Sequence, residues 1–309
     1  MNLDRRSLIA GAAALMGSAC VPMHQSTDGR LVAKLRIIER SLGGRLGVAF
    51  HDPVQRASLA YRGDERFPMC STFKTSLAAM ALESEQTGKL DLSQRVTWGE
   101  DDLLHHCPFT GPRVAIGATL RELAYAAQTV SDNLAANILL GKLGGPPALT
   151  QFWRAIGDDT SRLDRIETEL NYVPEGDIRD TTSPSAMART LGTLLASEHQ
   201  WPLVPERQRE LRQWMLETTT GLRRVRAGVP DSWQVGDKTG NSGAPPGMGY
   251  LRGDIGFVIG PGDVPTFFAA YHQSPVNAPI DGDRVDAAFQ QIGTILTGWT
   301  QRLYTIVLT

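Results

Sequence analysis

Three short stretches of this 309-residue chain carry side chains at spacings that suit acyl transfer. Ser71 stands three residues before Lys74 in "CSTFK", where an apolar helical pattern opens. Three residues is nearly one helical turn, so hydroxyl and amine share a face. A serine hydroxyl attacks a carbonyl only when a neighbour takes its proton, and a lysine made less basic by burial or a second cation can do so. The helix start adds free backbone N–H groups that can hold an oxyanion. Alone, S-x-x-K is mostly a helix start. Its company is more specific. Ser131, Asp132 and Asn133 form S-D-N in a turn between two helical patterns, and Lys238, Thr239 and Gly240 form K-T-G at the end of a predicted strand. The chain has only five lysines (Lys34, Lys74, Lys89, Lys142 and Lys238), and two of them fall in these motifs.

A fourth stretch, "RIETELN" at 165–171, places Glu167 and Asn171 in the charged segment 162–180, which has few helical signals and reads as an Ω-loop. Taken alone, Glu167 and Glu169 read as carboxylates of an ordinary solvated loop. Other constellations are weaker. His105, His106 and Cys107 are adjacent, but neighbours in one loop seldom converge on a metal, and no H-E-x-x-H or H-x-H-x-D accompanies them. "GNSGA" at 240–244 nearly matches the G-x-S-x-G elbow. Its last residue is wrong, and Pro245 and Pro246 block the helix that must follow.

The elements that must hold these groups follow from periodicity. "LVAKLRIIERSL" has a 3.6-residue apolar period, while "RLGVAFHD" and "RASLAYR" alternate as two strands joined by the turn "DPVQ". From residue 71 to about 217 the pattern is helical almost throughout. Thr119 and Glu122 form a capping box, and Ser183 with Pro184 opens a later helix. Strand signals return at "WQVGDK", "YLRGDIGFVI" and "TFFAAYH", and "RVDAAFQQIGTILTGW" is a last helix. The expected fold is α+β, an α/β sandwich with one antiparallel sheet flanked by helices and built from both chain ends, with an all-helical domain inserted. Its bounds are 30–65 and 215–309 for the sheet domain, and 66–214 for the helical domain with its Ω-loop at 162–180.

Composition fits one large domain or two interlocked ones: 41% hydrophobic and 21% charged residues. A net charge of -2 gives no reason to expect nucleic acid or an anionic membrane as partner. Residues 1–20 differ from the rest. Arg5 and Arg6 precede a weakly apolar stretch from Leu8 to Ala19, too short to span a bilayer and fitting an export signal of twin-arginine type, followed by a polar linker at 21–29. The expected location is the periplasm. Cys20 is a candidate lipid anchor, although Gly17 stands where such signals usually carry a larger apolar residue. Cys70 and Cys107, the other cysteines, are expected as free, mostly buried thiols.

S-x-x-K, S-D-N and K-T-G in that order are the set of class A β-lactamases and penicillin-binding proteins. With "RIETELN", "RDTTSP" at 179–184 and "FPMCSTFK", the chain resembles class A serine β-lactamases of the exported, chromosomal extended-spectrum type over nearly all of its length beyond the signal. The resemblance implies hydrolysis of the β-lactam ring of penicillins and cephalosporins, giving antibiotic resistance, in a monomer with no cofactor or metal. It implies Ser71 as the acylated nucleophile, Lys74 as its proton partner, and Ser131 as donor to the leaving nitrogen. Glu167 would activate the deacylating water, with Asn171 as that water's second partner. Asn133 would bind the substrate's side-chain amide. Lys238 and Thr239, with Gly240 beside them, would bind its carboxylate, and the N–H groups of Ser71 and Asn241 would form the oxyanion hole. Arg165 and Asp180 match the family's ion pair at the neck of the Ω-loop. Arg252, or Arg224, matches the arginine behind K-T-G, and His106 takes the place of an aromatic gate residue. Some carbapenem-hydrolysing relatives bridge the residue at Cys70 to one two residues after K-T-G; Ser242 stands there, so that disulfide cannot form. The alternatives are a D,D-peptidase or a β-lactam sensor, which share the fold but normally lack the Glu-x-x-Leu-Asn loop.

Overall fold

The structure is a computed structural model describing residues 23–305 except His199 and Pro261, with side chains from Asp28 onward. The export-signal expectation for residues 1–20, Cys20 included, lies outside the described residues. The chain opens with α1 (Met23–Leu42) and the hairpin of β1 (Arg45–Asp52) and β2 (Ala57–Tyr61). Two short ladders pair β3 (Phe67–Pro68) with β6 (Thr181–Thr182), and β4 (Arg95–Val96) with β5 (Ala118–Thr119). Between and beyond these run α2 (Phe73–Gln86), α3 (Leu120–Thr129), α4 (Asn133–Lys142), α5 (Gly145–Ala155), α6 (Pro184–Ala196) and α7 (Pro205–Leu216). The strands β7 (Gln234–Asn241), β8 (Leu251–Ile259) and β9 (Pro265–Gln273) precede the closing helix α8 (Gly282–Thr305).

The sheet order is β2-β1-β9-β8-β7, and every pairing is antiparallel. Strands from both ends of the chain therefore make one sheet around an inserted helical domain, as expected. The turn after β1 is built by Asp52, whose Oδ1 accepts the Val54 and Gln55 amides at 3.0 and 2.9 Å. Strand β2, at the edge, alternates buried and exposed. Strands β1, β8 and β9 do not alternate, because helices cover both faces of the sheet. Successive residues of β9 still part by face. Phe267, Ala269 and Tyr271 enter a core with Leu77, Trp153 and Leu191 of the helical domain, while Phe268 and Ala270 enter a second core with Phe289, Leu296 and Trp299 of α8. Each such buried phenylalanine contributes roughly 1.5–3 kcal/mol relative to exposure.

Two expectations are corrected. The polar linker at 21–29 is largely helix, since α1 begins at Met23; no proline or helix-stopping pair interrupts the run after Pro22. Residues 87–117 are not helical in the main. They hold short 3-10 turns and β4, because Gly88, Gly99, Pro108, Gly111, Pro112 and Gly117 punctuate the sequence. The caps stand as expected: Thr119 accepts from the Glu122 amide, and Ser183 from that of Ala186. No described helix is long and apolar enough to cross a membrane.

Candidate active site

Ser71 sits in a single 3-10 turn (Cys70–Thr72) that runs directly into α2, and Lys74 lies in the first turn of that helix. Cys70 before it has φ 44°, a left-handed conformation that few non-glycine residues adopt. Such strain persists only where the surroundings hold it. Here Met69 donates its amide to Asp180 O at 2.9 Å, and Thr72 Oγ1 donates to Met69 O at 2.8 Å. Cys70 is fully buried and unpaired, and burial pushes its thiol pKa well up, so it is no competing nucleophile. Strand β7 passes against the turn so closely that a Cβ on Gly240 would lie 2.6 Å from Met69 O. The glycine of K-T-G is required by that approach.

The S-D-N segment is held by its middle residue. Asp132 caps α4 by accepting the Ala135 amide at 2.9 Å, and also accepts the Phe109 and Thr110 amides, each at 2.9 Å. Ser131, at φ 61°, and Asn133 are thereby turned toward the two lysines. Lys74 Nζ donates to Ser131 O at 2.9 Å and to Asn133 Oδ1 at 2.6 Å, and Lys238 Nζ donates to Ser131 Oγ at 2.9 Å. Burial, and then the Lys74 charge, push the pKa of Lys238 well below the usual lysine range. Thr239 donates to Thr220 Oγ1 at 2.8 Å.

Residues 162–180 run as a loop with joined ends: Arg162 N donates to Thr181 O at 3.0 Å, and Arg165 pairs with buried Asp180 at 2.6 Å. The loop delivers Glu167 into the site, where its side chain is fully buried. Glu167 Oε1 lies 3.0 Å from Lys74 Nζ and accepts the Ser71 hydroxyl at 3.2 Å; Oε2 accepts Asn171 Nδ2 at 2.7 Å. A buried carboxylate needs such partners to stay ionised. The solvated-loop reading of Glu167 is thereby overturned. The Ser71 proton points at Glu167 rather than at Lys74, whose three donor positions are taken by Ser131, Asn133 and Glu167.

Two arginines converge on one oxygen beside β7. Arg252 Nη1 donates to Asn241 Oδ1 at 3.0 Å, and Arg224 Nη2 donates to the same atom. Arg224 is buried, bonding Gly253 O at 2.7 Å and Asp286 at 3.1 Å. Arg252 Nε is buried without a partner. Ser71, Ser131, Asn133, Asn171, Thr239 and Asn241 line one cleft of about 440 Å³, and His105 and His106 stand at its rim. His106 Nε2 is 3.0 Å from Val130 O. Among the described residues no three His, Cys, Asp or Glu side chains are placed to hold a metal ion.

Sequence reading missed Asn137, which takes the Glu167 amide at 2.9 Å and donates to Glu167 O at 2.8 Å. Its spacing of four from Asn133 on one helix face was the available signal. Thr220 and the rim residues Thr168 and Gly243 carried none.

Residues 30–300 match the family described as "Beta-lactamase enzyme family". The chain is 44% identical over 263 residues to "Beta-lactamase CTX-M-8" of Citrobacter amalonaticus, covering 84% of this chain and 86% of that one. It is 38% identical to "Beta-lactamase L2" of Stenotrophomonas maltophilia, covering 89% and 92%. Among solved structures, an ancestral class A β-lactamase superposes with a TM-score of 0.81 at 45% identity, over 87% of this chain and 99% of that one. A β-lactamase from Xanthomonas campestris gives a TM-score of 0.82 at 39% identity, over 88% and 98%. A serine and a buried lysine of one motif, brought against a carboxylate of the Ω-loop, thus sit on a chain that belongs to the β-lactamase enzyme family, in class A.

Proposed function

We propose that the protein hydrolyses penicillins and cephalosporins through an acyl-enzyme on Ser71. The observation that carries this is the contact of Glu167 Oε1 with both the Ser71 hydroxyl and Lys74 Nζ. Substrate enters the cleft with its carboxylate toward Lys238, Thr239 and the arginine pair, and its side-chain amide toward Asn133. The Ser71 oxygen attacks the lactam carbonyl and its proton passes to Glu167, the one acceptor it meets. The backbone N–H groups of Ser71 and Asn241 hold the oxyanion. As the C–N bond breaks, Ser131 gives its proton to the nitrogen and is re-protonated by the Lys238 ammonium beside it, while the proton held by Glu167 passes through Lys74 to this lysine pair and leaves Glu167 ionised again. Lys238 lies 2.9 Å from that hydroxyl and Lys74 against the Ser131 carbonyl, so both support the transfer. A water between Glu167 and Asn171 then gives a proton to Glu167 while its oxygen attacks the ester; the ester C–O bond breaks, Glu167 returns the proton to the Ser71 oxygen, and the ring-opened acid leaves. Arg165 and Asp180 act by position, holding the loop that presents Glu167.

Loss of a positioned general base costs about 10²–10⁴-fold. Glu167→Gln should therefore release a burst of one equivalent, more slowly than wild type, and nearly stop: deacylation loses its base, whereas in acylation Lys74, relieved of its carboxylate partner, takes over as acceptor of the Ser71 proton. Intact-mass measurement should find one adduct on the peptide holding Ser71. Wild-type turnover by this variant, or an adduct elsewhere, overturns the mechanism. Export to the periplasm through Arg5 and Arg6, a lipid anchor on Cys20 and a monomeric state belong to the same proposal, and rest on the sequence alone.

A further inference from the structure

The loop between β7 and β8 (residues 242–250) forms one wall of the cleft, with Ser242 and Gly243; Thr168 and Asn171 of the Ω-loop form the facing wall. The base of the loop is closed. Ser242 N donates to Leu251 O at 3.1 Å, and Leu251 N to Ser242 Oγ at 2.8 Å. Gly249 is pressed so tightly on the chain after β9 that a Cβ there would lie 1.9 Å from Ser274 O. Residues 243–247 of the loop are largely exposed, and Met248 directly after them turns inward. Met248 is 2% exposed, and its Sδ accepts the amide of buried Val173 at 3.2 Å. A second, longer contact of 3.5 Å joins Tyr172 to Pro246 O. Val173 is two residues beyond Asn171, which holds Glu167 Oε2.

We propose that Met248 is a positioning and specificity-determining residue, a latch that fixes the Ω-loop against the β7–β8 loop. It thereby seats Glu167 and sets how wide a substrate side chain the cleft admits. The inference rests on the role given to Glu167 above. A thioether suits the task, because it fills an irregular gap and is a soft, weak acceptor. The loop has somewhere to go when released. A cavity of about 610 Å³ lies behind it, bounded by Val173, Pro174, Ile178 and Met248. Leucine at 248 would nearly keep the volume but offer Val173 no acceptor, whereas alanine would remove both. The two variants thus separate packing from the hydrogen bond.

The experiment compares wild type, Met248→Leu and Met248→Ala on a β-lactam with a small side-chain amide and on one with a bulky branched side chain. Amide exchange of Val173 is followed by NMR. In Met248→Ala, Val173 should exchange at least tenfold faster. Turnover of the small substrate should fall about tenfold with slowed deacylation, and KM for the bulky one should fall severalfold. The bulky-to-small ratio of kcat/KM should therefore rise tenfold or more. Met248→Leu should show the faster exchange with a smaller change in that ratio, and carries the test if the alanine variant does not fold. Unchanged exchange, or a parallel loss on both substrates, overturns the latch. If wild type forms the Ser71 adduct and turns over, such a result refutes the latch alone. If wild type forms no adduct on Ser71, the functional reading itself fails.

Discussion

Two guanidiniums share Asn241 Oδ1, and removing each should have a different effect. Arg252 bonds only that oxygen, through Nη1, so its Nη2 has donors to spare for an incoming carboxylate, while its buried Nε stays unsatisfied. Burial first, and then the Arg224 cation, make Arg252 less basic than an ordinary arginine; an arriving anion relieves that repulsion. A charge-assisted hydrogen bond is worth about 1.5–3 kcal/mol, and partial exposure argues for the lower end, or roughly a tenfold rise in KM for Arg252→Ala. The melting temperature should barely move. Arg224 instead holds Gly253 O and Asp286 as well as Asn241. Its truncation orphans the buried Gly253 carbonyl and leaves part-buried Asp286 without its cation, at about 1–3 kcal/mol each, so Arg224→Ala should melt roughly 5–15 °C lower.

Because both cations hold the one oxygen of Asn241 at the cleft wall, each single variant should leave the other to hold the substrate. The double variant should lose more affinity than the two single losses added together. The assay is steady-state kinetics of all four proteins on one penicillin and on its carboxylate methyl ester, with scanning calorimetry alongside. On the ester the four should converge in KM. If Arg252→Ala leaves KM within twofold and the double variant is no worse than Arg224→Ala, the shared-anchor reasoning is refuted. Equal sensitivity on the ester would refute it independently.

Three further outcomes are expected. The depressed pKa of Lys238 should place the alkaline limb of kcat/KM below the usual lysine range. Bound carboxylate favours the ammonium, so the limb of kcat should lie higher, and Lys238→Arg should move the kcat/KM limb upward; coincident limbs would assign them to another group. Asp132→Asn keeps one acceptor oxygen and turns its NH2 against either the Ala135 amide or those of Phe109 and Thr110, and should cost about 3 kcal/mol, a fall of roughly 6–12 °C by calorimetry, with slower acylation. Replacing Arg5 and Arg6 by Lys should leave precursor in the cytoplasm on fractionation, and normal periplasmic accumulation would assign the signal to another type.

What the sequence discloses and what it hides divide along a physical line. Ser71, Lys74, Ser131, Asn133 and Lys238 are legible because acyl transfer tolerates few side-chain types, and their order is a strong constraint. Helix caps such as Thr119 and Ser183 are legible because the capping bond is local. Periodicity fails where its premise fails. It expects one wet face, but β1 and β9 are covered on both, so alternation survives as a partition between two cores rather than as a pattern of polarity. It likewise says nothing of a helix start such as that of α1, which no stop signal delays.

The proton path is the least legible part, since it depends on contacts between residues 96 apart. Lys74 looks like the partner of Ser71 on one helix face, yet its donors are consumed by Ser131, Asn133 and Glu167, and the hydroxyl is left facing the carboxylate. What brings Glu167 there is again non-local. Asp180, itself at φ 56°, binds the Asp164 and Arg165 amides at 2.7 and 3.0 Å and gives its own carbonyl to Met69, two residues before the nucleophile. One residue thus fixes both the loop that carries Glu167 and the turn that carries Ser71. Displacing it would separate the two reacting groups without touching either, which is why a motif can name the reagents while the distance between them is set elsewhere in the chain.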